Sequence, residues 1–326
     1  MKRLILITTF CGILLLILAA GYLKSGMVET SWGDLWKLFT APDSMIAIVI
    51  RELRLPRMLT ALLTGSSLAL AGVILQKVLR NELASPDILG ISGGAGCAGV
   101  TMLLLFPMYA KMLNFAVFAG ALTASLLICL AAWERGFSPV RLILAGVALG
   151  ALFNTASGMI LLNNSDKFPG IMEFTIGGFS TAEMDKIYYV LPFFAGAFLL
   201  AAGLSEQLDL LSLGSEEARS LGLPLTRCRI LALTAAALAA AAAVSLAGLL
   251  GFVGLMAPHI AAKLLDSERS SRLLTVAPLL GALLTLSADF AAKTFFAPRE
   301  LPCGIILSGL GALFFLILLW NKRGEI

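Results

Sequence analysis

The sequence has little charge. Only 13% of its 326 residues are Asp, Glu, Lys or Arg, whereas a soluble domain usually has about 25%. Nine stretches contain none of these residues: 4–23, 58–76, 88–110, 112–133, 142–165, 187–205, 230–262, 273–288 and 301–321. Most are close to the roughly 20 residues that a helix needs to cross a bilayer. The shortage of charge therefore argues against a soluble domain and predicts an all-α, multi-pass membrane protein.

Cysteine and histidine are also scarce. The five cysteines, Cys11, Cys97, Cys129, Cys228 and Cys303, form no C-x-x-C pair, and four of them lie in apolar stretches. A thiol in such a stretch behaves as a small hydrophobic group, so we expect neither a disulfide nor a metal site. His259 is the only histidine, and no catalytic or metal-binding partner is near it in sequence. We expect it to be a packed or interfacial side chain.

Nucleotide-binding motifs are missing as well. The segment GAGCAG at 94–99 matches the pattern G-x-G-x-x-G, but it lies inside an apolar stretch, and no acidic residue occurs between Asp87 and Glu134. The dinucleotide fingerprint needs a preceding strand and an acidic residue about 20 positions later. The dipeptide Gly-Lys never occurs, which excludes the G-x-x-x-x-G-K-[ST] loop. The chain itself is therefore expected to bind no nucleotide or other cofactor.

The length of the stretch 230–262 sets the number of spans. As one helix it would be about 50 Å long, against a hydrocarbon core of about 30 Å. Gly248, Gly251, Gly254 and Pro258 offer places to break it, so we predict one full helix followed by a short one, and ten transmembrane segments in all. The first segment could instead be a cleaved signal peptide, but the many further spans favour a retained helix.

Ten spans place both termini on one side of the membrane. With the N-terminus in the cytoplasm, more than half of the 24 Lys and Arg residues fall inside, in agreement with the positive-inside rule. Arg51, Arg54 and Arg57 then form a cluster on the outer side, where basic residues are disfavoured. Such a cluster suggests a function for these arginines.

The loop that precedes the glycines of 90–99 is polar. Pro86 cannot continue a helix, and Asn81 and Ser85 can bond to local backbone, so we predict a turn on the inner side. The pairs Gly90 with Gly94 and Gly146 with Gly150 are four residues apart, a spacing that lets helix backbones approach closely in lipid. These residues predict a tightly packed bundle.

Four long segments carry a resemblance to a known family. They are RLPRMLTALLTGSSLALAGVILQKVLRNELASPDILGISGGAG (54–96), GFVGLMAPHIAAKLL (251–265), SADFAAK (287–293) and LPCGIILSGLGALFFLILL (301–319). Together they closely resemble the FecCD family of permeases, the membrane subunits of type II ABC importers for iron–siderophores, haem and cobalamin. The resemblance runs from about residue 28 to the C-terminus. One departure is Glu82, where the family usually has proline.

The resemblance implies a single transmembrane permease domain over 1–326, with ten helices per subunit and the type II importer fold. Two permease subunits, identical or related, would enclose one path through the lipid of the inner membrane. Two cytoplasmic ABC ATPases would bind ATP and Mg²⁺ and power transport, and an extracytoplasmic binding protein would deliver the substrate. Iron–siderophore is the first expected cargo, and haem and cobalamin follow. No nucleic acid is expected to bind.

The resemblance also assigns an inner coupling loop at about 206–229. Its segment LSLGSEEARSLGLPLTR (211–227) is similar to the family segment that sits in a groove of the ATPase. This implies ATPase contacts by Glu216, Ala218, Arg219, Ser220, Leu221 and Gly222. From the residues alone, Ser215 can cap a short helix, and Gly222 can end it. A solvated interhelical loop is the alternative. The turn with Asn81, Ala84 and Pro86 is expected on the same, ATPase side.

On the outer side, Arg54 and Arg57 align with family arginines that receive acidic residues of the binding protein. Lys293 and Arg299 would form the second half of this dock. Charge complementarity of this kind gives orientation and association rate more than affinity. The alternatives are interfacial snorkelling for the two arginines and, for Lys293, a pair with Asp289 four residues earlier on the same helix face.

The residues that line the path are harder to identify. Polar or adaptable candidates are Thr64, Ser67, Asn154, Ser157 and Met159.

Two other classes of function are the alternatives to an importer. A secondary transporter would usually have acidic or histidine groups inside the membrane, for which Asp289 is the charged candidate. A membrane enzyme would need clustered carboxylates or a histidine pair, and the sequence has neither.

Overall fold

The computed structural model describes residues 2–26, 30–31, 33, 40–41, 43–133, 138–296 and 300–322, and all regular structure in these ranges is helical. The helices are α1 Lys2–Lys24, α2 Met45–Leu79, α3 Ile91–Leu105, α4 Leu113–Ala131, α5 Pro139–Asn163, α6 Phe168–Ile176, α7 Met184–Gly203, α8 Ser205–Leu213, α9 Ser215–Ser220, α10 Leu225–Ala247, α11 Val253–Leu265, α12 Ser270–Phe295 and α13 Cys303–Lys322. Helix α2 includes a π-helical turn at Ile50–Arg54.

Within the described residues, seven helices are long and apolar enough to cross a membrane, and three shorter apolar helices accompany them. The long ones are α1, α2, α4, α5, α7, α10 and α12, and the short ones are α3, α11 and α13. These helices coincide with the ten predicted segments. The predicted break in 230–262 is also confirmed, because α10 ends at Ala247 and α11 begins at Val253. Helix α1 packs along α12 as part of the bundle.

The centre of the bundle is formed by α2 and α10. Helix α2 packs against α12, α10 and α11, and α10 also contacts α7 and α4. Residues 235–243 of α10 are alanine except for Leu238, and their small side chains are almost all fully buried. Small side chains let neighbouring helices come close in lipid, where the hydrophobic effect does not drive helix association. Helices α1 and α5 lie at the periphery and are mostly exposed in the single chain.

The bundle has two ends, which position the candidate sites. At the N-terminal end, Arg3 of α1 pairs with Asp266 after α11, and Lys77 of α2 pairs with Glu268. At the distal end, the last turn of α1 lies beside Arg54 and Lys293. The ten apolar helices, long and short together, alternate in direction between these two ends. The segments 80–90 and 204–224 therefore both belong to the N-terminal end.

The loop at 80–90 does not stay at the surface of the N-terminal end. Gly90 has a positive φ of 69°, and a Cβ added to it would lie 2.6 Å from the Cα of Gly150 in α5. Gly150 is eleven residues past the start of α5, which corresponds to about 16 Å along the helix. The loop therefore folds back into the bundle. Within this loop Ala84 and Pro86 are buried, whereas Asn81 borders a cavity at the N-terminal end.

Replacing Gly90 by alanine is expected to lower the thermal stability of the protein. Alanine rarely adopts a positive φ, and its Cβ would overlap the backbone of α5, so the loss is expected to be about 1–3 kcal/mol. Gly158→Ala is the matched control, because a Cβ at this position of α5 meets nothing within 4 Å among the described residues. Thermal unfolding in detergent measures both variants. Equal midpoints for the two would contradict the proposed packing.

Candidate functional site

The distal end is held by a buried ionic cluster around Asp289 of α12, whose side chain is 1% exposed. The Arg57 guanidinium donates to both carboxylate oxygens, with distances of 2.9 Å from Nε and 2.8 Å from Nη2. The hydroxyl of Tyr22 in α1 donates to the same carboxylate. Arg57 also donates from Nη1 to Glu300 at 2.5 Å. The ionic cluster thereby joins α1, α2 and α12 to the segment before α13.

Two further cations complete this distal cluster. Arg54 donates to the carbonyl oxygens of Leu23 and Lys24 at 2.7 and 3.1 Å, and it is only 7% exposed. The ammonium group of Lys293 lies 3.4 Å from the centre of the Tyr22 ring and donates to the carbonyls of Tyr22 and Ser25. A cation near the last carbonyls of a helix is stabilising because these carbonyls lack helical partners. Both cations thus hold the C-terminal end of α1.

The cluster changes the interpretation of the predicted dock. Arg54, Arg57 and Lys293 come together at the distal end as predicted, but all three are engaged inside the chain. The alternative pairing of Lys293 with Asp289 is not the arrangement found, because Arg57 occupies both oxygens of that carboxylate. Arg299 lies outside the described residues. Arg51 is a more exposed cation, paired at 2.9 Å with the equally exposed Glu52.

The predicted coupling segment forms the short helix α9. Glu216, Arg219, Ser220, Leu221 and Gly222 are exposed, and Leu221 retains 61% of its surface. Ala218 differs from them because its side chain is fully buried in the core. It therefore anchors the helix and is not part of its exposed surface.

The two ends of α9 test the predicted capping. Ser215 does not cap α9, since Gly214 precedes the helix and the Ser215 hydroxyl accepts a hydrogen bond from Arg229 at 2.9 Å. Gly222 ends the helix as predicted: its φ is 80°, and its N–H donates to the carbonyl of Arg219. The N–H of Leu223 donates to Ala218, which completes a Schellman motif.

A cavity of about 770 Å³ also opens at the N-terminal end. It is lined by charged groups of both signs, including Lys77, Lys263, Glu82 and Glu268. His259 borders it with its Nδ1 3.8 Å from Glu82 and its ring against Phe314. This is the packed, interfacial position that the sequence predicts. Among the described residues, no group of three His, Cys, Asp or Glu side chains could hold a metal ion.

The candidate path residues separate into two groups. Thr64 and Ser67 of α2 are fully buried within the chain, and their hydroxyls have no hydrogen-bond partner among the described residues. Asn154 and Met159 lie on the exposed face of α5, and Ser157 is half-buried beside them. An exposed asparagine is costly against lipid. The face of α5 therefore suits a polar or protein neighbour better than a lipid one.

The comparison with protein families decides which kind of protein this is. The model of the FecCD transport family matches residues 4–321. The chain belongs to the FecCD transport family. Membership confirms that this is a transport protein and removes the membrane-enzyme alternative.

Individual relatives of this FecCD chain agree with that result. It is 35% identical over 98% of its length to the Fe(3+)-citrate import system permease protein YfmE of Bacillus subtilis (strain 168), of which it covers 96%. It is 35% identical over 87% of its length to the iron(3+)-hydroxamate import system permease protein FhuG of the same organism, covering 86% of it. It is 34% identical over 97% of its length to the hemin transport system permease protein HmuU of Yersinia pestis, covering 96% of it.

The fold of this FecCD chain is also found in a solved structure. That structure is described as an inward-facing conformation of a proposed metal-chelate type ABC transporter. The match has a TM-score of 0.86 at 29% identity and covers 97% of this chain and 99% of the other. The type II importer fold predicted from the sequence is thereby confirmed.

Proposed function

We propose that the chain is the permease subunit of an ATP-driven importer that moves a metal chelate, in the first place an iron–siderophore, into the cytoplasm. The observation that carries the proposal is the family match over 4–321. Relatives at 35 and 36% identity are named for Fe(3+)-citrate, iron and iron(3+)-hydroxamate uptake. The hemin permease at 34% identity makes haem the second candidate, and cobalamin remains the third.

The proposed assembly has two permease subunits, two ABC ATPases that bind ATP and Mg²⁺, and an extracytoplasmic binding protein. The N-terminal end of the bundle faces the cytoplasm of the inner membrane, and both termini lie there. Exposed basic residues at this end, such as Arg80, Arg227 and Arg269, support the orientation. The exposed face of α5 carries Asn154 and Thr155, which suits a path shared between two subunits better than contact with lipid.

Helix α9 is the proposed ATPase contact. A helix of this length is marginal in water, so it depends on packing. Ala218 provides this packing, and Leu221, which directly follows the helix, stands exposed. A groove of about 580 Å³ beside it is lined by Arg219 and Arg227 together with apolar side chains. An apolar side chain flanked by charges is the surface expected of a contact between subunits.

The distal cluster is the proposed support of the binding-protein dock. The side chains of three cations at this end are bonded inside the chain: Arg54, Arg57 and Lys293. A role in docking therefore requires one of two things. Either these side chains exchange their internal partners for groups of the binding protein, or they support the surface to which the binding protein docks. With Arg299, they remain the proposed partners of the binding protein's carboxylates. Arg51 is more accessible, because both it and its ionic partner Glu52 are exposed.

Reversing the charge of Arg51 is expected to slow association with the binding protein several-fold at low salt and to have little effect at high salt, because exposed charges act through steering. Lys111→Glu is the control, since it makes the same change in net charge at another exposed site of the distal end. Association rates in nanodiscs at two salt concentrations measure the effect. Equal rates for Arg51→Glu and the unchanged protein at low salt would contradict a dock at this position.

The proposed function itself is tested by purifying the chain from its native membrane in mild detergent. We expect an ABC ATPase and a binding protein to co-purify, and the absorption spectrum of the eluate to identify a ferric chelate, haem or a corrinoid. Failure to recover an ATPase, under conditions that preserve other ABC complexes, would contradict the importer. A secondary transporter would then be the better explanation, and Asp289 the first residue to mutate.

A further inference from the structure

Asp87 is a charged residue that the proposed transport function has not yet used. It lies in the loop that folds back into the bundle, three residues before Gly90. A Cβ added to Gly251 would lie 3.7 Å from its Oδ2, so the carboxylate points at the break between α10 and α11. Gly251 precedes α11, which runs 13 residues to the N-terminal end, or about 20 Å. The carboxylate is therefore well inside a hydrocarbon core of about 30 Å.

The surroundings of Asp87 are dense and still open to solvent. Its residue surface is exposed, while protein atoms are packed closely around the carboxyl group. The carboxyl group therefore lies deep along the bundle and is still accessible in the single chain. No ion pair within the described part of the chain neutralises this carboxylate. An acid without a counter-charge at this depth is costly and indicates a function.

Ser92 provides a second, independent polar group at the same place. Its side chain is 2% exposed, and its hydroxyl has no partner with hydrogen-bond geometry among the described residues. Ser92 follows Asp87 by five residues and lies in the first turn of α3. A buried hydroxyl without a partner costs free energy unless something else satisfies it. Asn154 of α5 borders the same start of α3, with its Oδ1 3.6 Å from a Cβ added to Gly93.

We propose that Asp87 is part of the translocation path inside the membrane, where it accepts hydrogen bonds from N–H, O–H or ammonium groups of the passing chelate. The carboxylate then favours neutral and cationic ferric chelates over anionic ones. This inference rests on the proposed importer function and adds a determinant of its substrate class. Ser92, whose hydroxyl has no other partner among the described residues, offers a second hydrogen-bonding group to the same chelate.

A purely structural role for Asp87 is the competing explanation. A carboxylate before the start of α3 is favoured by the positive end of the helix dipole. That role predicts a change in stability when Asp87 is altered and no change in selectivity between charged probes. Measurements of the electrostatic potential and of substrate selectivity therefore distinguish the two explanations.

The first experiment measures the potential beside Asp87 in the complex assembled with its ATPase. Ile88→Cys introduces a thiol next to it at a site that is 43% exposed. We expect a cationic methanethiosulfonate to react faster than an anionic one, and Asp87→Asn to lower the ratio of the two rates about tenfold. Leu264→Cys, exposed at the N-terminal end and far along α11 from Asp87, is the control site whose ratio should not change. The unaltered chain gives the background from Cys97, since the other four cysteines are buried.

The second experiment measures selectivity in uptake. Iron uptake is compared for a neutral ferric trihydroxamate and for the ferric dicitrate anion, with the same binding protein in both the unaltered and the Asp87→Asn transporter. The preference of the binding protein then cancels when the two uptake ratios are compared. We expect Asp87→Asn to raise the ratio of anionic to neutral uptake about tenfold. Ser92→Ala should shift it in the same direction by less.

The outcomes are distinct. Failure of the Ile88→Cys thiol to react, a rate ratio that Asp87→Asn leaves unchanged, or an unchanged uptake ratio in an active transporter would each overturn the role of Asp87. Absence of an ATPase from the unaltered complex contradicts the importer proposal instead. In that case the thiol measurement on the isolated permease still decides whether Asp87 sets the electrostatic potential at this position.

Discussion

Asp289→Ala is expected to lower the free energy of unfolding by about 3–5 kcal/mol, the typical loss when one partner of a buried ion pair is removed. The variant leaves the Arg57 guanidinium, whose side chain is 14% exposed, with Glu300 as its remaining carboxylate. It also removes the acceptor of the Tyr22 hydroxyl. Denaturant unfolding in detergent and the yield of monodisperse protein measure the loss.

Two further variants make this prediction specific to the buried pair. Glu52→Ala removes an exposed carboxylate at the same end, from a pair with Arg51 that is expected to contribute at most about 1 kcal/mol. The double variant Arg57→Met with Asp289→Leu removes both buried charges and should recover most of the lost stability. If Asp289→Ala were no more harmful than Glu52→Ala, the cluster would not hold the distal end together.

The spans themselves could be predicted because lipid imposes a simple rule of length. Each helix must be apolar over about one membrane thickness, so charge-free stretches mark the helices. The same rule located the break between α10 and α11, since 230–262 is too long for one crossing. The structure places that break at Gly248, whose φ is 71°, as the residue that ends α10.

The distal cluster could not be predicted, because its partners are far apart in sequence. Arg57 and Asp289 are separated by 232 positions, and no local rule joins them. The rule for residues four apart suggested Lys293 instead, which was wrong because that ammonium group reaches the last carbonyls of α1. A tertiary contact thus prevailed over the pairing that the local sequence rule favoured.

The loop at 80–90 shows a different limit. Pro86 and the polar residues correctly predicted a turn, but a turn can lie at the surface or fold back into the bundle. The close approach of Gly90 to Gly150 shows that this loop folds back into the bundle, and it also determines the depth of Asp87. The glycine pairs four residues apart were predicted only to let helices approach closely. Which helix each glycine meets depends on the whole bundle.

Leu221→Asp is expected to reduce uptake to less than about a tenth while the permease remains folded. Leu221 is 61% exposed beside the end of α9, so a charge there costs the single chain little. In the assembly it would place a carboxylate at the proposed ATPase contact. Loss of a central apolar side chain from such a contact commonly costs about 2 kcal/mol or more of binding free energy, or about 30-fold in affinity. The co-purified ATPase should fall with uptake.

Leu264→Asp is the matched control for this variant, since Leu264 is an exposed leucine, 42% accessible, at the same end of the bundle and outside α9. If both variants lose uptake equally, the defect reflects a general intolerance of charge at this end. If Leu221→Asp keeps normal uptake and ATPase recovery, α9 is not the contact. A loss confined to Leu221→Asp would favour α9, because Ala218 anchors the helix in the core while Leu221 remains exposed and able to bind a partner.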